Sequence, residues 1–268
     1  EFEINDVVRQ TKESGILINA TTITNNISSN LIDFKFENFS DIKVLSDGFD
    51  IQEAIESSYN LNGKENIIII VRSNKRANQY NQQIRKTILS HENKVCVGDL
   101  LMITKNNYFW TSPDSEIPFL ANGDIIQILE IFSIKELYGF EFAEVKIKMV
   151  DYIDQPTFDT VIILNTLDLD TPSLSYEQSN LLYNEVQNDY IKIKSKYQRF
   201  LKTKENPFFN ALQVKFSYAI TCHKAQGGQW PVVFIEKPYL KDGSNIDYLR
   251  WLYTAVTRAE SKLYLIGF

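Results

Sequence analysis

Hydrophobic residues follow two different periods along the chain, and the changes of period predict its architecture. Residues 67–72 form a β-branched run that predicts a central strand. Residues 78–89 place Tyr80, Ile84 and Ile88 at a spacing of four, which predicts an amphipathic helix. A strand followed by a helix is the repeating unit of an open parallel sheet, so this part of the chain is predicted to be α/β.

The pattern changes between residues 95 and 165, where short alternating strands are separated by turn signals. Asn106-Asn107, Asn122-Gly123 and Tyr138-Gly139 are such signals. This arrangement predicts a small antiparallel barrel. The predicted strands cover residues 100–104, 124–132, 140–149 and 160–164.

The α/β pattern returns in the last part of the chain, after a polar stretch at 175–204 that predicts helix with one apolar stripe. The following elements are strands at 216–221, 232–236 and 262–266 and a helix at 245–260. The α/β parts therefore frame the barrel, and we predict a discontinuous domain. Its segments are 1–94 (first α/β part), 95–170 (barrel), 171–212 (helical connector) and 213–268 (completion of the α/β domain).

Composition limits the classes of protein to consider. The chain has 268 residues, of which 44% are hydrophobic and 23% charged, as in ordinary soluble domains. The sequence contains no apolar run of membrane length, so we expect no membrane partner. Two cysteines far apart in sequence give no disulfide framework, which favours a cytoplasmic location. With only two histidines besides, we expect no metal site.

The charge is acidic, with a net value of −6 and a pI of about 5.1. A dedicated nucleic-acid module is usually basic, so strong autonomous DNA binding is not expected. One local stretch is nevertheless positive, and it is either a solvated helix face or a surface that follows phosphates. It contains Lys192, Lys194, Lys196, Arg199, Lys202 and Lys204.

Residues 218–230, YAITCHKAQGGQW, join a predicted strand to a helical turn. Thr221 offers a hydroxyl, His223 and Lys224 offer donors, and Gly227-Gly228 lets backbone approach a ligand closely. These groups suit phosphate binding. The alternative is a plain strand–turn–helix in which the glycines only make the turn and the histidine lies on the surface.

Residues 251–267, WLYTAVTRAESKLYLIG, contain Arg258 near the predicted end of a helix. A guanidinium is permanently charged and binds phosphate oxygens in a bidentate manner. The alternative is an arginine placed there by the helix dipole.

In this order the two stretches closely resemble motifs V and VI of superfamily 1 helicases (RecD-like or UvrD-like), nearest the RecD-like branch. Residues 8–20, VRQTKESGILINA, resemble motif IV, and residues 71–85 resemble a segment that faces single-stranded DNA. GDLLMITKNNY and FLANGDIIQI, at 98–108 and 119–128, resemble strands of the family's SH3-like barrel. The resemblance implies an α/β fold: a RecA-like (P-loop NTPase-type) parallel-sheet lobe, discontinuous, with an inserted small antiparallel SH3-like β-barrel.

The resemblance also implies roles for individual residues. Arg258 would be an arginine finger and Arg9 a second arginine for the γ-phosphate, with Gln10, Gly228 and Gln229 also at the ATP. The alternative for Arg9 is a surface arginine on a short helix. Many relatives carry a ribose-binding glutamate where this chain has Gln229. Ser73 and Asn74 have helix capping as the alternative role. The residues implied to contact DNA are Ser73, Asn74, Arg76, Thr221, His223, Lys224, Gln226, Lys105 and Asn106.

The sequence contains no GxxxxGK[ST] motif, the loop that holds ATP phosphates in this superfamily. The resemblance therefore implies ATP and Mg²⁺ held mainly by a missing first lobe, and a fragment that is inactive alone. A first residue of Glu1 rather than Met also fits a fragment. The expected function is the C-terminal part of an ATP-dependent DNA helicase or translocase, exodeoxyribonuclease V alpha-subunit-like, in DNA repair and recombination.

Its expected partners are single-stranded DNA, ATP, the N-terminal RecA-like lobe of the same protein, and repair or nuclease subunits. The alternative is a non-catalytic DNA-binding or regulatory domain that has kept a degenerate helicase fold.

Overall fold

A computed structural model describes residues 14–112, 114, 117–152 and 157–268. Arg9 and Gln10 lie outside the described residues. The described chain forms two compact units. The first combines residues 14–80 with Tyr218–Phe268, and the second is Asn81–Ser217.

The first unit contains a five-stranded parallel sheet with strands in the order β1-β10-β9-β2-β8, numbered along the chain. All five residues of β2 are buried, because a parallel strand with helices on both faces has no solvent side. The strand predicted at 67–72 is confirmed. The strands are β1 (Ile42–Leu45), β2 (Ile67–Val71), β8 (Ala219–Thr221), β9 (Trp230–Glu236) and β10 (Ala259–Ile266).

Capped helices pack on this sheet. The carboxylate of Asp47 accepts the backbone N–H groups of Phe49 and Asp50, and the side chain of Asn245 accepts that of Tyr248. The second helix contacts β1, β2 and β9, and the last packs on β9 and β10. The helices of the first unit are α1 (Gly15–Ser28), α2 (Gly48–Asn62) and α6 (Ile246–Val256). A further helix, α3 (Asn74–Thr87), begins in the first unit and ends in the second.

One predicted boundary is wrong here. The helix expected at 245–260 ends at Val256, and Thr257 and Arg258 form a turn before β10. The reason is that Ala259 already pairs with Trp230 in the sheet. Arg258 therefore lies between a helix and a strand.

The second unit contains a closed five-stranded barrel. Apolar and polar residues alternate along β5, whose inward side chains are buried. Closure leaves the small sheet without exposed edges. The barrel strands are β3 (Leu100–Ile103), β4 (Ile125–Leu137), β5 (Phe140–Met149), β6 (Phe158–Ile163) and β7 (Leu212–Phe216).

The strand predicted at 216–221 is two strands, and this prediction is corrected. Phe216 pairs with Leu101 in the barrel, whereas Thr221 pairs with Val71 in the parallel sheet. The sequence shows one apolar run here because both strands are buried, and only the pairing partners divide it. The predicted α/β layout, a discontinuous parallel-sheet domain with an inserted small barrel, is confirmed.

The helical stretch predicted at 175–204 is two helices, α4 (Tyr176–Asn188) and α5 (Lys196–Lys204). Ser175 and Ser195 cap their N-termini through the side-chain oxygens. Leu182 is buried, but Tyr197 is 69% exposed, so the single apolar stripe is also wrong. Among the described helices, none is long and apolar enough to cross a membrane.

Candidate functional site

Ser73 and Asn74 lie just beyond the carboxyl end of β2, where α3 begins. The hydroxyl of Ser73 accepts the backbone N–H of Arg76 at 3.2 Å, and its carbonyl accepts that of Ala77. Ser73 is therefore a helix cap. A capped N-terminus is still an anion site, because the other backbone N–H groups of the first turn point outward.

Arg76 does not extend freely toward solvent. Its Nε lies 2.7 and 2.9 Å from the two carboxylate oxygens of Glu236, at the carboxyl end of β9. Its guanidinium also covers the ring of Tyr80, 4.7 Å from the centroid. The hydrogen bonds to Glu236 raise the pKa of Arg76. A DNA phosphate at this position would compete with a carboxylate.

The segment after β8 begins as a tight turn. The carbonyl of Thr221 accepts the N–H groups of Lys224 (2.8 Å) and Ala225 (3.1 Å). Cys222 is buried, and burial raises its thiol pKa to about 12, so it is not a nucleophile. His223 is exposed, while Lys224 is half-buried and burial lowers its pKa. Gln226 is also exposed.

Glycine is favoured at the next two positions, 227 and 228, for different structural reasons. Gly227 has a φ of +90°, which side-chain-bearing residues rarely adopt. At Gly228 a Cβ would lie 2.4 Å from the indole of Trp230, so a close ring contact requires glycine there. Gln229, beside them, is half-buried. The predicted nucleotide role of Gly228 thus coincides with a packing role.

Arg258 forms hydrogen bonds with residues of both sequence motifs. Its Nη1 donates to the carbonyl of Gly228 at 3.0 Å, and its Nε donates to the carbonyl of Thr254 at 3.0 Å. Its Nη2 donates to the hydroxyl of Thr257 at 3.0 Å, and its own carbonyl accepts the N–H of Trp230. The guanidinium is half-buried and held in a fixed position.

The candidate residues of the first unit fall at two opposite ends of the sheet. Val71 and Thr221 are paired at the carboxyl ends of their strands, next to Ser73 and Asn74. Trp230 and Ala259 are paired at the amino ends of β9 and β10, next to Gly228 and Arg258. The seven residues of β9 span roughly 20 Å at ~3.3 Å per residue. Residues 222–229 run from one end to the other.

Lys105 and Asn106 lie in the second unit, in the loop after β3. Both are exposed, and the side-chain oxygen of Asn106 accepts the N–H of Asn122 at 2.8 Å. The aromatic residues beside them differ in exposure: Tyr108 is 65% exposed, whereas Trp110 packs against the core of this unit.

His91, Cys96 and Asp99 bring potential metal ligands within 4.8 Å of one another. The guanidinium of Arg85, however, donates to both carboxylate oxygens of Asp99 at 3.0 Å. Asp99 also accepts the N–H of Cys96 at 2.8 Å. A cation would have to displace a buried arginine, so we assign the cluster as a structural ion pair.

Sequence reasoning missed two of these features. Glu236, the partner of Arg76, follows the apolar run 232–235, but its pairing is across the sheet and leaves no local signal. The Arg85–Asp99 pair has a signal, since Arg85 occupies the apolar face of α3, one residue after Ile84. A charge on a buried face requires a partner.

Comparisons with known proteins bear on this geometry. Residues 216–266 match the family model of the UvrD-like helicase C-terminal domain. A comparison with curated proteins gives no match.

Three solved helicase structures align along most of the chain. Pif1 helicase from Candida albicans does so at 12% identity, covering 98% of this chain and 55% of that one, with a TM-score of 0.38. Pif1 helicase from Bacteroides, in complex with ADP-AlF3 and ssDNA, aligns at 14% identity over 100% of this chain and 52% of that one, with a TM-score of 0.39. A structure of two coordinating Pif1 helicases at forked dsDNA aligns at 11% identity over 97% of this chain and 48% of that one, with a TM-score of 0.45. The chain spans about half the length of these helicases.

Proposed function

We propose that this chain, which carries a C-terminal superfamily 1 helicase region, supplies the second RecA-like lobe of an ATP-dependent DNA helicase or translocase of the RecD-like type. The observation that carries the proposal is the separation of two residue sets at opposite ends of one parallel sheet. Residues 222–229 connect them, and Arg258 is bonded to the far end of that segment through Gly228.

The nucleotide side is the amino end of β9 and β10. Arg258 acts there as an arginine finger on the γ-phosphate of ATP bound, with Mg²⁺, to a preceding lobe. Such a finger contributes on the order of 10³–10⁵ in rate. Its three acceptors fix the guanidinium before nucleotide arrives, so little reorganisation is needed. Gln229 acts as an uncharged hydrogen-bonding partner of the nucleotide. Nucleotide contacts are also assigned to Arg9 and Gln10, which lie outside the described residues.

The DNA side is the carboxyl end of β2 and β8. Ser73, Asn74 and Thr221 offer a helix N-terminus and hydroxyl groups to the backbone of single-stranded DNA. Exposed His223 and Gln226 and half-buried Lys224 extend this surface. The lowered pKa of Lys224 reflects burial, which a nearby phosphate would offset by favouring the charged form.

Coupling between the two sides follows from continuity of the chain. Thr221 begins the connecting segment on the DNA side, and Gly228 ends it against Arg258. Movement of Arg258 on nucleotide binding or release therefore pulls directly on the segment that carries the DNA contacts. This is a contiguous physical link between two sites.

The remaining parts of the proposal concern organisation. We assign the first unit, residues 14–80 with Tyr218–Phe268, to the lobe, and the second unit, Asn81–Ser217, to the barrel and its helical connector. β7 belongs to the barrel, so the lobe resumes after Ser217 and not at residue 213. The N-terminal lobe and repair or nuclease subunits are the proposed protein partners. A cytoplasmic location is supported by the two free thiols, Cys96 and Cys222.

A second candidate function is a non-catalytic DNA-binding or regulatory domain. The observation that favours it is the Arg76–Glu236 ion pair, which neutralises a cation at the proposed DNA edge. Under this alternative the nucleotide end would be only structural.

ATP hydrolysis separates the two functions. We expect the intact parent protein to hydrolyse ATP faster with single-stranded DNA present, and the 268-residue chain alone to hydrolyse none. A parent without DNA-stimulated turnover would favour the non-catalytic function, and turnover by the chain alone would refute the need for a first lobe.

A further inference from the structure

The segment between β6 and β7 ends in a helix, α5, whose apolar side chains face away from the protein. Tyr197, Phe200 and Leu201 lie at spacings of three and four, so they occupy one face of this helix. Their exposed fractions are 69%, 41% and 38%. Ile191, in the loop just before α5, is 66% exposed. We call residues 191–204 the connector face.

The apolar face of a surface helix normally packs inward, and the neighbouring helix shows that arrangement. α4 buries Leu182 and Val186 in the core of the second unit. In α5 the fully buried side chain is that of Thr203, whose hydroxyl donates to the carbonyl of Arg199 at 2.9 Å. The apolar stripe of α5 therefore contributes little to folding. An exposed stripe of this kind marks a surface for another molecule.

The connector face is also basic, in contrast to the rest of the protein. Residues 191–204 include six lysines and arginines and no acidic residue, although the whole chain has a net charge of −6. Lys192, Lys194 and Lys196 are exposed. The ammonium of Lys204 lies 5.7 Å from the centroid of the Phe200 ring, so positive charge and apolar surface alternate along the helix.

From this chemistry we propose that the connector face docks an acidic segment of a partner protein, in which aspartate or glutamate residues alternate with aromatic or aliphatic ones. The carboxylates pair with the exposed lysines, and charge complementarity of this kind steers association. The apolar side chains cover Tyr197, Phe200 and Leu201, as in other complexes that bury an amphipathic helix face. The inference goes beyond the proposed function and does not depend on it.

Other occupants fit the connector face less well. A nucleic-acid strand supplies phosphates, but its bases stack on aromatic rings and offer no apolar cover to Leu201 or Ile191. A second copy docked through the same face would bring six cations against six. Phe200 and Leu201 are each more than half covered by the protein, which leaves too shallow an apolar face for insertion into a membrane.

The test is the fluorescence anisotropy of a labelled peptide, in which pairs of aspartates alternate with phenylalanine or leucine, titrated with the 268-residue chain. We expect saturable binding that weakens as salt is added. Tyr197→Ala should weaken binding roughly fivefold to 30-fold, the range for truncation of an aromatic interface anchor. Lys196→Gln should weaken binding by up to about fivefold and reduce its salt dependence.

Two variants of the first unit are matched controls. Tyr239→Ala removes a tyrosine that is 90% exposed, and Lys241→Gln removes one exposed lysine. Both should change affinity by less than about twofold, because neither residue lies on the connector face. Alanine favours helix more than tyrosine does, so Tyr197→Ala should not lower the unfolding midpoint. Lys196→Gln keeps the test decisive if Tyr197→Ala does not fold.

Altered peptides separate the two parts of the recognition. A peptide with serine in place of its apolar residues, and another with asparagine in place of aspartate, should each bind at least about tenfold more weakly. Equal binding of either altered peptide would overturn the proposal. So would no binding of the original peptide, or folded Tyr197→Ala and Lys196→Gln chains that bind it as wild type does.

Three further results would overturn the proposal by assigning the connector face to another occupant. Single-stranded oligothymidylate that binds more tightly than the peptide and depends on Tyr197 would make the face a nucleic-acid surface. The same dependence in binding to phosphatidylserine vesicles would make it a membrane surface, and in dimer formation during sedimentation it would identify a second copy. The proposed function is tested separately by ATP hydrolysis in the parent, so either inference can fail while the other stands.

Discussion

Replacing Arg85 by methionine should strongly destabilise the second unit, and the reason is the buried carboxylate that it would leave behind. The side chain of Arg85 is 3% exposed and that of Asp99 is fully buried. Besides Asp99, the guanidinium donates to the carbonyl of Asn93 at 2.7 Å and lies over the ring of Phe216, 4.2 Å from its centroid. Methionine keeps the apolar contact with the ring and removes the charge and all donors.

The structure sets the size of the effect. Asp99 would keep the N–H of Cys96 at 2.8 Å and the ring of His91 at 2.9 Å, but would lose its cationic partner. Breaking one side of a buried ion pair costs about 3–5 kcal/mol. Replacing both partners by apolar residues is often close to neutral. The double variant Arg85→Met/Asp99→Leu should therefore be more stable than the sum of the two single changes predicts, by about 1–3 kcal/mol.

Urea unfolding measures this directly, because the three tryptophans divide between the units. Trp110 lies in the second unit, and Trp230 and Trp251 lie in the first. Trp230→Phe/Trp251→Phe chains would report the second unit alone. A loss of less than about 1 kcal/mol in Arg85→Met, or a double variant as unstable as the summed singles, would refute the reasoning.

Two further predictions concern charge. Glu236→Gln should release Arg76 and tighten binding of single-stranded DNA by up to about fivefold, because an exposed ion pair contributes about 0.2–1 kcal/mol. The salt dependence of binding should become steeper by about 0.7 in slope. Adding Arg76→Gln should cancel the gain, and an unchanged affinity in Glu236→Gln would contradict the prediction. Burial lowers the pKa of Lys215 to about 8 from 10.5, so the folded state releases its proton first and stability should rise between about pH 8 and 10.5. Lys215→Met should remove that rise, which is measured as the pH dependence of the urea unfolding midpoint. The same pH dependence in wild type and Lys215→Met would contradict the prediction.

The sequence predicts the elements of this fold better than their pairing. The sequence predicts the buried strand at 67–71 and the alternating strand at 140–149 correctly, because burial on two faces and burial on one face leave different periods. The division between β7 and β8 was not, since Phe216 and Ala219 are both buried and nothing local separates them. Long-range pairing carries that information.

The candidate site shows the same limit. Motif residues such as Thr221 and Arg258 could be selected from sequence, but their distribution over two ends of a sheet follows from strand register. The sequence does not predict that Arg76 pairs with Glu236, because the two residues are 160 positions apart in the chain. Lys204 was one of six cations in a positive stretch, and only the fold brings it beside the loop after β3.

The central claim is that Arg258 acts on nucleotide bound to a preceding lobe, and its most direct test is ATP hydrolysis by the intact parent with single-stranded DNA. Arg258→Ala should reduce turnover by about 10³-fold or more while nucleotide affinity changes little. Arg250→Ala is the matched control, because this exposed arginine lies on the preceding helix, α6, and forms a local ion pair with Asp247. Retained turnover in a folded Arg258→Ala parent, or an equal loss in Arg250→Ala, would contradict the account.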